Sequence, residues 1–227
     1  LPTGGVYLGV GPEQNFTYLA ALHPKLAFIV DIRRGNLVEQ LLYKAFFELS
    51  SNRAEFLSHL FARPAPADLP SDVTVDELFA AFDESPPSGA LFRKYLGAAT
   101  ERLTTFHKFE LTPDDVRGLE YVYGAFHRAG PGLNYSFLNG GFGNGGRFGR
   151  SFFPTYAELM TETDGRGNRR SYLATEENYR AMRQLEEDNA IVPLVGDFGG
   201  PKTLRAVGRY LNERGATVTA FYTSNVE

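Results

Sequence analysis

The period of the hydrophobic positions changes along the chain, and the changes divide it. Val6, Tyr7 and Leu8 form a short apolar run that enters a turn carrying Gly9 and Gly11. A helix-compatible stretch follows from Asn15 to Leu22, and a second apolar run, Ala27 to Val30, ends on Asp31. Strand, glycine turn, helix, strand, acid is the opening half of a nucleotide-binding crossover. Leu37, Leu41, Leu42, Ala45, Phe46 and Leu49 then recur at helical spacing. They predict an amphipathic helix over 36–49, with Asn36 as its N-cap, continued or kinked over 52–61.

From Arg63 the pattern is different. RPAPADLPSD is a proline-rich connector, and helical periods follow over 75–82, 89–105 and 113–127, the last opened by Thr112-Pro113-Asp114-Asp115. The stretch 129–154 mixes glycines and aromatics with Arg147 and Arg150, and predicts a long loop fit to close over a ligand. Helical patterns return over 155–161 and 175–189. Strand character returns with Ile191–Val195, then a turn at Gly196-Asp197-Phe198-Gly199-Gly200, then a helix from Pro201 to Arg214 closed by Gly215, and a last strand over 217–222. The expectation is an α/β fold: a Rossmann-like, doubly wound, mainly parallel sheet. Residues 1–62 and 190–227 would form its core and 63–189 a helical and loop insertion. Four strands are few for such a sheet, so the reading expects later strands to be missing.

Right-handed crossovers would make the four strands parallel and bring their C-terminal ends to one edge. That edge would carry Gly9 and Gly11, Asp31, Asp197, and Thr223 to Asn225, with Gln14 and Asn15 as further cofactor-binding candidates and Tyr222 beside Ser224 and Asn225 as a catalytic one. Ligands of open α/β sheets bind outside this edge. Glycines let a ligand approach bare backbone, and an acid at the second strand's tip accepts hydrogen bonds from a ribose diol. The turn G-V-G-P-E-Q lacks the third glycine of the dinucleotide fingerprint, and Glu13 would sit beside a pyrophosphate. Both features favour a cofactor with an uncharged linker. Arg33 and Arg34 suit a ribose phosphate and keep an NAD(P)-dependent oxidoreductase open as an alternative.

The stretch YLGVGPEQN followed by FIVDI resembles the first two motifs of class I S-adenosylmethionine-dependent methyltransferases. The resemblance implies that Gly9 and Gly11 lie against S-adenosylmethionine and that Asp31 holds its ribose hydroxyls. It also implies that Asp197 lies near the adenine and that Ser224 and Asn225 lie beside the methyl group. Over most of its length the chain resembles an uncharacterised bacterial family labelled only methyltransferase-like. The fourth-strand tip lacks the asparagine-proline-proline-tyrosine sequence of amino-methylating members and the metal-binding acid pair of catechol-type members. The expectation is therefore an S-adenosylmethionine-binding methyltransferase acting on a small molecule, with Tyr222, Ser224 and Asn225 orienting the acceptor. A non-catalytic methyltransferase-like binding or scaffold protein is the alternative.

Composition narrows the rest. The chain has 227 residues, 43% hydrophobic, with a net charge of −4 and no basic run, which gives no support for nucleic-acid binding. No apolar stretch reaches the ~18 residues needed to cross a bilayer. The absence of cysteine excludes thiolate metal sites and cysteine nucleophiles but leaves the compartment open. His23, His59, His107 and His127 lack metal-ligand spacing, so no metal is expected. Ser136, Ser151 and Ser224 lie outside any G-x-S-x-G context.

Overall fold

The computed structural model describes residues 4–67, 69–70, 72–134 and 154–223. Four strands, β1 (Val6–Val10), β2 (Leu26–Asp31), β3 (Ile191–Val195) and β4 (Val218–Tyr222), form one all-parallel sheet in the order β3-β2-β1-β4. This is an α/β structure consistent with a Rossmann-like arrangement. Side chains alternate across the sheet, as strand geometry requires. Val6, Leu8 and Phe28 pack on one face against Val207 and Leu211 of a single helix, α9 (Thr203–Glu213). Tyr7, Ala27 and Ile29 face the other side, where α1 (Gln14–Leu22), α2 (Arg34–Leu49) and most of the remaining helices pack into the main core.

The described residues between β2 and β3 are largely helical. They form α3 (Arg53–Phe61), α4 (Val75–Glu84), α5 (Gly89–Glu101), α6 (Pro113–Ala129), α7 (Tyr156–Thr161) and α8 (Glu176–Glu187). Their starts follow from local chemistry. Thr74, Thr112 and Thr155 each cap a helix in a reciprocal box with the acid three residues on. Past Glu101 the chain widens into a π-helical turn, Arg102–Phe106, which brings Arg102 and His107 to Glu48. Phe79, Phe82, Leu103, Tyr123 and Phe126 enter the same core as Tyr43 and Phe46. The connecting helices and the sheet layer thus share one apolar interior. Buried rings dominate it: Phe47 stacks on Phe56 at 4.5 Å, and Phe16 meets Tyr43, Phe47 and Tyr172 edge-on at 5.1–5.7 Å.

Helix α2 lies at the centre, with every residue from Val38 to Phe47 buried. Sheet, α3, α6 and α8 surround it, so its polar residues Glu39, Gln40 and Lys44 are buried with the rest. Two helix starts differ from the sequence expectation. Helix α2 begins at Arg34 with extended Arg33 as its N-cap, which leaves Asn36 inside the first turn and buried. Helix α9 begins at Thr203, so Pro201 precedes it rather than opening it. Gly215 follows the end of α9 at φ 59°, the left-handed position a glycine fills without strain. No helix among the described residues is long and apolar enough to cross a membrane.

Candidate functional site

The C-terminal ends of the strands meet at one edge, where β1 lies between β2 and β4. The β1 turn is built from within by Asn15. Its amide nitrogen donates to the carbonyls of Pro12 (2.7 Å), Val10 (3.2 Å) and Gly11 (3.3 Å), while its oxygen accepts from the Tyr7 hydroxyl at 2.8 Å. Asn15 is fully buried, so its side chain shapes the turn and presents nothing to solvent. Gly9 serves the same packing. A Cβ there would stand 2.1 Å from Asn15 Oδ1 and 2.6 Å from the Tyr7 ring. Gly11 differs: it sits at φ 91°, and a Cβ there would meet no atom within 4 Å.

Gln14 and Tyr222 bridge the tips of β1 and β4. Gln14 Nε2 donates to the Tyr222 hydroxyl at 3.2 Å, and the Tyr222 ring lies 4.9 Å from that of Tyr18. The first-turn N–H groups of Asn15 and Phe16 donate to the carbonyls of Pro12 and Glu13, so these two donors are not free for an anion. Asp31 ends β2 almost buried. Its carboxylate accepts from the backbone N–H of Arg33 at 2.8 Å and from the half-exposed Arg33 guanidinium at 3.3 Å. Gly196 N–H donates to the Asp31 carbonyl at 2.9 Å, which sets the β3 turn beside the tip of β2. Within that turn Asp197 is exposed and folds its carboxylate onto the N–H of Gly199. Thus Gln14 and Tyr222 meet where β1 and β4 end, with Gly11 in the β1 turn and Asp31 and Asp197 along the β2/β3 tips. Ser224 and Asn225 lie outside the described residues, as does most of the glycine-aromatic loop with Arg147 and Arg150.

The floor of the edge carries a group that the sequence pattern passed over. Glu13, expected beside the ligand, is turned inward and only 1% exposed, and it interacts there with the buried carboxyl of Glu39. Burial first, then the Glu39 carboxyl, pushes Glu13 well above the ordinary carboxylate range. Burial lifts Glu39 to about 7, opposed by Arg33 and reinforced by Asp31. Two interacting carboxyls with little solvent cannot both ionise, so the pair holds a proton near neutral pH. Tyr43, Tyr156 and Tyr172 surround it, with the Tyr156 and Tyr172 hydroxyls hydrogen-bonded to each other. The signal for this cluster was present: Glu39 lies three and seven residues before Leu42 and Phe46 on the same apolar stripe. Arg34, considered as a phosphate ligand, is bidentate to Asp115 at 2.6 and 2.7 Å and holds that carboxyl well below its usual range.

A profile of one family, described as a domain of unknown function (DUF7790), matches residues 2–67 and 146–227. That is well over half of the chain and contains all four strands. The chain belongs to this family. The match takes in β1, α1, β2, α2 and α3 on one side and α7 to β4 on the other, and so every residue of the candidate edge. The stretch between the two matched segments holds α4, α5 and α6. No match was found among curated proteins.

Proposed function

We propose that the C-terminal edge of the sheet binds S-adenosylmethionine and that the chain transfers its methyl group to a small-molecule acceptor. One observation carries the reading. Gly11, left-handed and with open space where a Cβ would stand, lies just past β1, on either side of which the strand order runs in opposite directions. With helices on both faces, that order fits a doubly wound sheet, and in such sheets ligands bind at the reversal point. Asp31 stands at the neighbouring tip with its carboxylate held by a backbone N–H, so a ribose diol displacing the Arg33 guanidinium would find it already oriented.

The choice of cofactor rests on α1. With Glu13 turned inward and held toward its neutral form by burial, an acid beside the ligand no longer argues against a pyrophosphate. The N–H groups of Asn15 and Phe16 supply that argument instead, because they are already bonded, and Gln14 occupies the place of the third fingerprint glycine. An uncharged linker suits such a turn. Bound here, the cofactor would supply an electrophilic methyl group on a sulfonium. The chain's part is positioning and exclusion of water, with Tyr222, Ser224 and Asn225 orienting the acceptor and Gln14 fixing the Tyr222 hydroxyl.

Calorimetric titration of the folded chain with S-adenosylmethionine and S-adenosylhomocysteine tests this. Saturable heat that is lost in Asp31→Ala is the expected result; no heat from either compound ends the reading. A second reading is favoured by the Asp31–Arg33 ion pair, which already engages the acid. In it the chain keeps the frame as a non-catalytic binding protein, and neither compound binds. Enhanced NADH fluorescence on mixing would instead restore an oxidoreductase.

A further inference from the structure

A cavity of about 380 Å³ lies along the free edge of β3, away from the strand tips, between α2, the end of α8 and residues 109–111. Its walls are largely apolar, from Leu37, Leu41, Phe109 and Ile191 to Pro193. The ladder to β2 begins with Ala27 N–H donating to the Ala190 carbonyl and ends with Gly196 N–H donating to Asp31. Parallel pairing alternates, so Ile191 and Pro193 direct their carbonyls away from β2, and Pro193 has no N–H to leave unpaired there.

Two of the residues lining this cavity carry buried side-chain atoms without a hydrogen-bond partner among the described residues. Gln40 is 2% exposed, and neither its amide oxygen nor its amide nitrogen has a hydrogen-bond partner among the described residues. Glu186 is equally buried, with one carboxyl oxygen unpartnered. A buried amide bare at both ends is costly, and native interiors rarely leave one so. The nearby cations are already engaged: Lys44 with the Glu48 carboxylate at 2.8 Å and the Glu186 carbonyl at 2.5 Å, and Arg34 with Asp115. The unmet demand inside is thus for a neutral donor–acceptor pair and not for an anion.

We infer that this cavity is a second binding site, for a small neutral ligand with a carboxamide or lactam edge that pairs with the Gln40 amide. One hydrogen bond would be donated and one accepted, with the ligand's apolar body against Leu37, Leu41 and Ile191. The volume lies at the lower end of small-molecule pockets and suits a single ring system of nucleobase size. Burial pushes Glu186 up to about 8, so at neutral pH its carboxyl is a neutral group able to donate as well as accept.

Uracil, hypoxanthine and nicotinamide are suitable probes, titrated into the full chain and followed by saturation-transfer NMR and by the Gln40 side-chain amide resonance. At least one probe should bind and shift that resonance, and Gln40→Leu should weaken its binding at least about tenfold while the chain remains folded. Binding should persist with S-adenosylhomocysteine present, which keeps this site distinct from the strand tips. No binding of any probe at about 10 mM, well beyond the millimolar range of weak ligands, overturns the inference. So does equal binding by Gln40→Leu, an unmoved Gln40 resonance, or displacement by S-adenosylhomocysteine. Should Gln40→Leu fail to fold, the resonance decides alone.

Discussion

Replacing Asn15 by Asp preserves shape and changes one terminal group, which makes it a sharp test of how the β1 turn is built. The new carboxyl can still accept from Tyr7, but where Asn15 Nδ2 donated it would turn an oxygen toward the carbonyls of Pro12, Val10 and Gly11. The site is fully buried, and none of the hydrogen-bond partners of Asn15 is a cation. The cheapest response is for the carboxyl to stay protonated. At pH 7 that costs about 4 kcal/mol relative to an ordinary Asp, at about 1.4 kcal/mol per pH unit above its usual value. Loss of the amide's hydrogen bonds adds about 1 kcal/mol. The total approaches the whole stability of many domains, about 5–15 kcal/mol.

The sign with pH follows. The variant's folded-state pKa is raised, so its deficit is smallest below about pH 4 and grows as the unfolded chain's Asp ionises. Urea unfolding followed by far-UV circular dichroism, at acidic and neutral pH, measures it. If the variant is unfolded at neutral pH, refolding on acidification to about pH 4 is the expected behaviour. A variant within about 1 kcal/mol of the parent at both pH values would show that Asn15 does not organise the turn.

Other perturbations separate neighbouring roles. Gly9→Ala should cost about 1–3 kcal/mol by forcing Asn15 and Tyr7 apart. Gly11→Ala should cost only the left-handed strain of about 1–2 kcal/mol, yet put a methyl into the proposed cofactor space and abolish calorimetric binding. Arg53→Met removes a buried guanidinium that donates to Glu176 and to the carbonyls of Val73, Leu173 and Ala174, and should destabilise by about 3–5 kcal/mol in thermal unfolding. Glu186 is raised from 4.5 to about 8 by burial, against Lys44 and with Glu48. The stability tied to its neutral form is complete below pH 4.5 and lost as pH rises toward 8. Glu186→Gln should therefore gain on the parent across that interval by up to about 1.4 kcal/mol per pH unit, and a parallel pair of pH profiles would refute the assignment.

The strands and most helices were legible because each carries its own period. The β1 and β2 runs are apolar and bounded by Gly11 and Asp31, and α6 announces itself through Thr112, Pro113 and Asp115. The shifted starts of α2 and α9 follow from competition between adjacent start signals, Arg33 against Asn36 and Lys202 against Pro201, which backbone geometry settles within a turn. The inward side of the candidate edge was not legible. Sequence order gives Asn15 and Glu13 as polar residues after a glycine turn, a pattern equally suited to facing a ligand. Which way they face depends on Tyr7 from β1 and on Glu39 and Tyr43 from α2, contacts that close only in three dimensions. Gln40 escaped notice for a related reason, since its burial requires residues 109–111, β3 and the end of α8 around one helix.

The complete enclosure of α2 from Val38 to Phe47 has a consequence for how the chain opens. A helix screened on one side can expose its amides by losing a single neighbour, whereas this one is flanked by the sheet and by α3, α6 and α8. Exchange of its amide protons with solvent therefore requires several layers to part together, and its protection reports the global rather than a local opening. The helix acts as the keystone between segments that the family match covers and α6, which lies between them. Excising the central helices would strip one flank from α2 and release a molten sheet layer, not a smaller native domain.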